Sequence, residues 1–194
     1  MIALIDYGAG NTASVMNVLK DLNADFLLSS DKKIISSADK IILPGVGEAS
    51  SAMTKLQETG LIALIRELTK PFLGICLGLQ LLCRKTEEAD ADCLDIIPVD
   101  VKKFDLAKSK IPHMGWNSVN NFRDVNLFRN IEQNSFFYFA HSYYVPENEF
   151  TTSVCNYEIN FSSSIRYKNF YGVQFHPEKS SKQGIQIIKN FLSL

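Results

Sequence analysis

The sequence has no dominant charge. Its 20 Lys and Arg residues nearly balance its 21 Asp and Glu residues, which gives a formal net charge of -1. A chain without a basic excess has no long-range field that attracts polyanions. We therefore expect no nucleic-acid partner.

Long hydrophobic runs and a recognisable leader are also missing. No apolar stretch approaches the ~20 residues that a membrane-spanning helix needs. The first residues, MIALID, contain neither a basic segment nor a small-residue cleavage site. We expect a soluble cytoplasmic protein that does not bind membranes.

Cysteine is scarce and widely spaced. The chain has four cysteines, Cys76, Cys83, Cys93 and Cys155, and no two of them have CxxC spacing. Disulfide-dependent secreted domains carry a higher cysteine density, and zinc sites use closely spaced pairs. The sequence therefore predicts neither a structural disulfide nor a zinc site, and we expect no metal and no cofactor.

The length of 194 residues fits a single domain over residues 1–194. In the first half, short apolar runs at residues 2–5, 26–28, 41–43 and 72–75 alternate with helical patterns at 12–22, 49–68 (broken at Gly60) and 77–85. Alternating strands and helices are typical of an α/β fold with a mostly parallel sheet and helices on both faces. On the last of these predicted helices, we expect Cys83 to pack against the sheet.

The second half has a different pattern. Strand-like runs occur at residues 99–104, 135–140, 152–155, 164–167 and 171–175. They predict antiparallel strands that join the same sheet or form a small second one. Residues 182–194 predict a closing helix with Ile185, Ile188 and Leu192 on its apolar face, and the polar residues 86–95 predict an exposed loop.

The segment GICLG at residues 74–78 is the strongest local signal for chemistry. It joins an apolar strand to a helical pattern and matches the nucleophile elbow, with Cys76 in place of serine. Glycines on both sides allow a sharp turn and a close approach of strand and helix, and the helix N-terminus favours a thiolate. The alternative is a buried cysteine that packs between two glycines.

A second signal is the segment HPE, which follows a predicted strand. His176 is the kind of base that a cysteine nucleophile needs, and Glu178 is positioned to orient it if the strand geometry continues past the proline. A single histidine at a strand end is more often structural. The Cys76 elbow reverses that preference, so we predict a triad of Cys76, His176 and Glu178.

The segment LPGVG at residues 43–47 has two readings. It follows a strand and precedes a helical pattern, so it is either an ordinary turn or a backbone segment that presents an N–H to an oxyanion. In the second case the N–H of Leu77, next to the nucleophile, would share that task. The residues alone leave both readings open.

Together these three segments resemble the class I (triad) glutamine amidotransferases, and the resemblance spans nearly the whole chain. It implies a flavodoxin-like three-layer fold. It also implies that Cys76 attacks the side-chain amide of glutamine, that His176 delivers a proton to the departing ammonia, and that Glu178 holds His176. Water then releases glutamate from the thioester.

Four further segments are similar to the glutaminase subunits of imidazole glycerol phosphate synthases, enzymes of histidine biosynthesis. They are DYGAGN at residues 6–11, PHMGWN at 112–117, HSYY at 141–144 and HPEKS at 176–180. This resemblance implies roles for further residues: Gln80, Ser142 and Tyr143 hold glutamine, Gly45, Val46 and Gly47 form the oxyanion strand with Leu77, and Asn11, His113, Met114 and Trp116 lie near a partner.

The implied partner is a (β/α)8-barrel cyclase subunit that receives ammonia through a channel. The stretches at residues 8–11 and 112–117 are expected near that interface, and Trp116 is an aromatic of the size that anchors contacts. The alternative interpretation is that Trp116 is a half-buried core residue.

Three other functions fit parts of the pattern. A sister glutaminase that feeds an amidino-sugar synthase would carry nearly the same motifs. A flavodoxin-like cysteine hydrolase acting on γ-glutamyl or peptide bonds would work without a partner. A binding scaffold that lost its activity would not need the intact triad.

Overall fold

The computed structural model describes residues 1–8, 11–105, 107 and 110–194. The first half contains β1 (Ile2–Ile5), α1 (Thr12–Asp21), β2 (Phe26–Ser29), α2 (Lys32–Ser37), β3 (Lys40–Gly45), α3 (Ala49–Glu58), α4 (Leu61–Glu67), β4 (Phe72–Cys76) and α5 (Leu77–Leu82). The second half contains β5 (Cys83–Thr86), β6 (Ala91–Asp92), β7 (Ile97–Lys103), β8 (His113–Asn120), β9 (Ser135–His141), β10 (Tyr143–Tyr144), β11 (Thr151–Tyr157), β12 (Ile159–Tyr167), β13 (Phe170–Val173), a 3₁₀ turn (Pro177–Lys179) and α6 (Ser181–Leu192).

Among the described residues, nine strands form one sheet in the order β2-β1-β3-β4-β13-β12-β11-β8-β9. The strands from β2 to β13 are mutually parallel, and each pair from β13 to β9 is antiparallel. A second sheet of four strands has the order β10-β7-β5-β6. The predicted parallel first half is confirmed, and the antiparallel strands occur in both predicted forms.

Helices cover both faces of the large sheet because its central strands are apolar on both sides. Along β1, Ala3 and Ile5 belong to the buried cluster under α2, α3, α4 and α5, whereas Ile2 and Leu4 belong to the cluster under α1 and α6. This alternation follows from the period of two in a strand. The result is a three-layer α/β architecture.

The closing helix is confirmed, but its buried face is not centred where the sequence predicted. Ile187, Ile188 and Phe191 are buried on α6, while Ile185 and Leu192 are only partly buried. Of the three residues predicted on the apolar face, Ile188 is buried in the structure. The apolar residues of this segment allow two overlapping stripes, and contact with the sheet selects between them.

The helix predicted at residues 77–85 is too long. Helix α5 ends at Leu82, and Cys83 starts strand β5. That strand pairs in parallel with β7, where Cys83 faces Ile97. Cys83 is buried, as expected, but in a strand. An apolar run of this length does not distinguish helix from strand, so the pairing with a distant strand decides.

The predicted exposed loop at residues 86–95 is also corrected. It contains strand β6, and Cys93 and Leu94 are buried. The N–H of Leu94 donates to the carbonyl of Leu81 at 2.9 Å. The prediction was wrong because it followed the many acidic residues of this segment. Its two buried apolar residues, Cys93 and Leu94, hold it against α5. In the described part of the chain, no helix is both long and apolar enough to cross a membrane.

Candidate active site

Cys76 stands at the junction of β4 and α5 in a strained backbone conformation, with φ 53° and ψ -108°. Non-glycine residues rarely occupy this region, and it costs about 1–3 kcal/mol. The flanking glycines serve close packing and are not themselves strained. A Cβ on Gly74 would lie 2.5 Å from the carbonyl oxygen of Gly78, and one on Gly78 would overlap the carbonyl oxygen of Leu43. The predicted sharp turn is therefore present, with its backbone strain at Cys76. The two glycines allow the close approach of strand and helix.

His176 lies beside Cys76 because β13 is the direct neighbour of β4. Val173 is opposite Ile75 in the parallel register, so both strands end at the same edge of the sheet. The N–H of His176 donates to the carbonyl of Tyr138 at 2.9 Å, which holds the backbone at this point. Residues separated by a hundred positions in the sequence thus meet at one end of two neighbouring strands.

Glu178 contacts His176 through a different backbone geometry from the one predicted. The two residues lie on the 3₁₀ turn and its cap, and the strand does not continue past the proline. His176 Nδ1 is 2.8 Å from Glu178 Oε1, and both side chains are buried. The predicted proximity therefore exists, with a turn as its cause.

The charge state of His176 follows from its neighbours. Burial by itself lowers the pKa of the imidazole, but hydrogen bonds with Cys76 and Glu178 and their negative charges outweigh burial and raise the pKa to about 10. The imidazole is then protonated at neutral pH. Glu178 Oε2 is buried without a hydrogen-bond partner among the described residues, so the imidazolium is the charge that compensates this carboxylate.

The sulfur of Cys76 has two further polar neighbours. Its Sγ is 3.8 Å from the carbonyl of Ala140, and the side-chain amide of Gln174 donates to it from 3.7 Å. Sequence reasoning missed Gln174. The available signal was a glutamine between two large apolar residues of a predicted strand, two positions before His176.

A cleft of about 310 Å³ opens at Cys76. Nine of the predicted site residues line it: Val46, Gly47, Cys76, Leu77, Gln80, Met114, Ser142, Tyr143 and His176. Glu178 lies behind His176, and Gly45 is paired with Cys76 in the sheet. Gly47 has a φ of 98°, a conformation that favours glycine.

Glu88 is a cleft residue that sequence reasoning missed. It is the one carboxylate among the described residues lining the cleft, and its Oε2 accepts the N–H of Ala49 at 2.7 Å. Burial raises the pKa of the Glu88 carboxyl, and the hydrogen bond from Ala49 opposes that shift. Several acidic residues surround Glu88 in the sequence, and nothing in their pattern shows which one faces inward.

The expected interface residues fall into different environments. Met114 and Trp116 are 64% and 52% exposed on the outer face of β8, beside Phe136 of β9, which is 58% exposed. His113 is 3% exposed on the opposite face, so its side chain is not part of this exposed surface, and its expected place near an interface stays a prediction.

Asn11 is partly buried, and its Nδ2 donates to Ser14 Oγ at 2.7 Å. The rest of the stretch expected near the interface at residues 8–11 includes Ala9 and Gly10, which lie outside the described residues. Only Gly8 and Asn11 of that stretch have a described position.

Comparison with known proteins identifies the family. A family model described as glutamine amidotransferase class-I matches residues 3–194. The chain belongs to the class-I glutamine amidotransferases. The resemblance seen in the motifs is thereby confirmed.

This glutamine amidotransferase is similar over its whole length to curated relatives. It is 49% identical over 195 residues to imidazole glycerol phosphate synthase subunit HisH of Bacteroides fragilis strain YCH46, covering 100% of the chain and 99% of that protein. It is 43% identical over 199 residues to subunit HisH 1 of Vibrio vulnificus strain YJ016, covering 100% of the chain and 98% of that protein. Its resemblance to these subunits within the class is therefore confirmed.

Solved structures support the fold. A crystal structure of a glutamine amidotransferase matches with a TM-score of 0.75 at 15% identity, covering 100% of this chain and 98% of the other. A glutamine amidotransferase from Thermotoga maritima matches with a TM-score of 0.65 at 20% identity, covering 99% and 82%. The predicted flavodoxin-like α/β fold is confirmed.

Proposed function

We propose that this glutamine amidotransferase is the glutaminase subunit of an imidazole glycerol phosphate synthase, with one domain over residues 1–194. It hydrolyses glutamine to glutamate and passes ammonia to a cyclase subunit in histidine biosynthesis. The observation that carries this proposal is the strained Cys76 beside the buried His176–Glu178 pair at the mouth of a cleft. Similarity to HisH subunits over the full length supports the choice within the family.

The hydrolysis has two steps. The Cys76 sulfur attacks the side-chain amide carbon of glutamine, and protonated His176 gives its proton to the departing nitrogen, which leaves as ammonia. His176 then takes a proton from water, whose oxygen attacks the thioester and releases glutamate with regeneration of the thiolate. Glu178 keeps the imidazole oriented and stabilises its charged form.

The oxyanion that forms in each step needs N–H donors. Leu77, the first residue of α5, follows the nucleophile directly, and the segment with Gly45, Val46 and Gly47 lies alongside it. A Cβ on Gly45 would be 2.6 Å from the nitrogen of Gly78, so this segment packs closely on the elbow. We assign the oxyanion donors to these residues.

The cleft offers groups of the right kind for the other end of glutamine, which carries an ammonium and a carboxylate. Gln80, Ser142 and Tyr143 supply polar groups, and Glu88 supplies the negative charge that an ammonium requires. We assign the α-ammonium to Glu88, because the other charged residues of the lining, Lys179 and protonated His176, are cationic.

The exposed apolar face formed by Met114, Trp116 and Phe136 supports a partner on β8 and β9. Met114 lines the cleft as well, so the face and the cleft are adjacent. We assign this face to the (β/α)8-barrel cyclase subunit. Direct transfer of ammonia is useful because free ammonia is mostly protonated in neutral water and then cannot act as a nucleophile.

Replacement of the nucleophile tests the function. Cys76→Ser in the complex with the cyclase subunit should abolish glutamine-dependent synthesis of imidazole glycerol phosphate, while added ammonium salts still support it. Retained glutaminase activity would show that Cys76 is not the nucleophile. Growth of a histidine auxotroph lacking its own glutaminase subunit checks the pathway, since a glutaminase for an amidino-sugar synthase would not restore it.

A further inference from the structure

Two histidines outside the triad form a buried pair beside the cleft. His113 and His141 face each other across β8 and β9, and His113 Nδ1 is 3.0 Å from His141 Nε2. The other ring nitrogen of His141, Nδ1, is 2.7 Å from the carbonyl oxygen of Tyr143. Phe104 and Phe139 pack against both rings. The hydrolytic steps do not use either histidine.

The protons of this pair have one consistent arrangement. Burial lowers the pKa of His113 to about 4 and that of His141 to about 3, so both rings are neutral at physiological pH. A carbonyl oxygen can only accept, so His141 carries its proton on Nδ1 and accepts at Nε2. His113 must then donate from Nδ1 and accept at Nε2, which is 3.3 Å from the Asn117 amide nitrogen, a donor.

The chain of hydrogen bonds continues from Tyr143 to the nucleophile. The Tyr143 carbonyl also accepts from Gln80 Nε2 at 2.9 Å, and the same nitrogen donates to Gln174 Oε1 at 3.0 Å. Gln174 Nε2 donates to Cys76 Sγ at 3.7 Å. Both N–H groups of the Gln80 amide are thus used, and its Oε1 is the atom that remains to accept a hydrogen bond in the cleft.

We propose that His141 and His113 are positioning residues of the glutaminase site, a role that rests on the proposed function. Through the Tyr143 carbonyl they fix the orientation of the Gln80 amide and, through it, of the Gln174 amide that contacts Cys76. Each hydrogen bond in the series joins a donor to an acceptor, so rotation of the Gln80 amide would leave the Tyr143 carbonyl and Gln174 Oε1 without this donor. Tyr143 and Gln80 are themselves substrate-site residues, so the series acts on both the substrate and the nucleophile.

Two substitutions at His141 separate positioning from packing. His141→Phe keeps an aromatic ring among Phe104 and Phe139 but removes the donor to Tyr143. His141→Asn keeps a donor near the Nδ1 position. In the complex with the cyclase subunit, His141→Phe should lower kcat for glutamine about tenfold, and His141→Asn should stay within about threefold of wild type. The urea midpoint of each chain is measured alongside.

Alkylation of Cys76 by iodoacetamide adds a readout that needs neither partner nor glutamine. His141→Phe should slow it at pH 7 relative to wild type, whereas His141→Asn should restore it. Tyr157→Phe is the matched control. The Tyr157 ring stacks on His113 with a centroid distance of 4.0 Å, and its hydroxyl donates a hydrogen bond to the carbonyl oxygen of Lys110, which is outside the series. It should retain wild-type kcat and wild-type alkylation.

The outcomes are distinguishable. A folded His141→Phe chain with wild-type kcat and alkylation would overturn the positioning role. Absence of glutaminase activity in the wild-type complex would overturn the proposed function, and the alkylation rates would still test the series. If His141→Phe fails to fold, nitrogen-15 NMR of the wild-type histidines decides: protons on Nδ1 of both rings support the series, and a proton on Nε2 of either ring refutes it.

Discussion

Cys76 combines backbone strain with a charged neighbour. Its positive φ lifts the side chain away from the end of β4, and tight packing around Gly74 and Gly78 maintains that conformation. His176 then supplies a positive charge next to the sulfur, held by Glu178 from behind. Reactivity at this residue therefore depends on neighbours that come from both halves of the sequence.

The buried pair of His176 and Glu178 makes stability depend on pH. The pKa of His176 in the folded chain, about 10, lies above its ordinary value of 6.5, so its contribution to stability is complete below about pH 6.5. That contribution is lost as the pH rises through 10. Glu178→Gln should therefore lower the urea midpoint most near pH 6.5, and the difference from wild type should shrink toward pH 10.5.

Urea unfolding at pH 6.5, 8.5 and 10.5 measures this effect. Glu58→Gln, at an exposed position of α3, serves as the control and should leave the midpoint unchanged at each pH. A deficit for Glu178→Gln that stays constant across the range would contradict the charge state assigned to His176.

Glu88 is expected to act on substrate binding and not on the chemical step. Glu88→Gln should raise KM for glutamine about tenfold to a hundredfold with little change in kcat, because a charged hydrogen bond contributes about 1.5–3 kcal/mol. Glu87→Gln is the matched control, since Glu87 pairs with Lys102 outside the cleft lining. Equal effects of the two substitutions on KM would exclude a specific role for Glu88.

At the scale of elements, the close packing of α5 against β3 requires glycine at position 78. A Cβ on Gly78 would overlap the carbonyl oxygen of Leu43, which belongs to the backbone of a central strand and cannot move freely. Gly78→Ala should cost about 1–3 kcal/mol of unfolding free energy by overpacking, and it should also reduce glutaminase activity.

Denaturant titration and glutaminase assays measure both effects of Gly78→Ala. Ser51→Ala, on the exposed side of helix α3, is the control that adds no buried volume. Wild-type stability of Gly78→Ala would mean that strand and helix can separate at this point without cost.

Elements with a clear period were predictable, and those decided by distant pairing were not. The helical pattern at residues 12–22 predicted α1, whose buried residues are Val15 and Leu19. Strand β8 escaped prediction because its inward His113 and Asn117 are polar, while Met114 and Trp116 on its outer face are exposed. Strand β8 thus has polar residues on its inward face and apolar residues on its outward face, the reverse of the usual pattern.

For the molecule as a whole, the apolar face of Met114, Trp116 and Phe136 predicts where the partner subunit binds. Trp116→Ala should weaken association with the proposed cyclase subunit by about 2 kcal/mol or more, the range of an aromatic anchor at the centre of an interface. Isothermal titration calorimetry measures this change. Val125→Ala, at an apolar position that is 75% exposed elsewhere on the surface, is the control. Equal affinity of the Trp116→Ala chain and wild type would place the interface on another face.

The candidate site was predictable in its chemistry and only partly in its surroundings. The residue types Cys, His and Glu in their local segments indicated the triad. Gln174, Glu88 and the histidine pair were not found, because their roles arise from contacts between segments far apart in the sequence. Such contacts depend on sheet order, and the insertion of β13 beside β4 has no local signal.

That insertion also sets an order of events during synthesis. Strand β13 occupies the middle of the sheet, between β4 and β12, although it is the last strand to leave the ribosome. Until it arrives, β4 and β12 have no common neighbour, and the thiol of Cys76 has no imidazole beside it. Domains generally fold as units during translation. A nascent polypeptide therefore carries an unactivated cysteine, and enzymatic competence begins when the central gap in the sheet is filled.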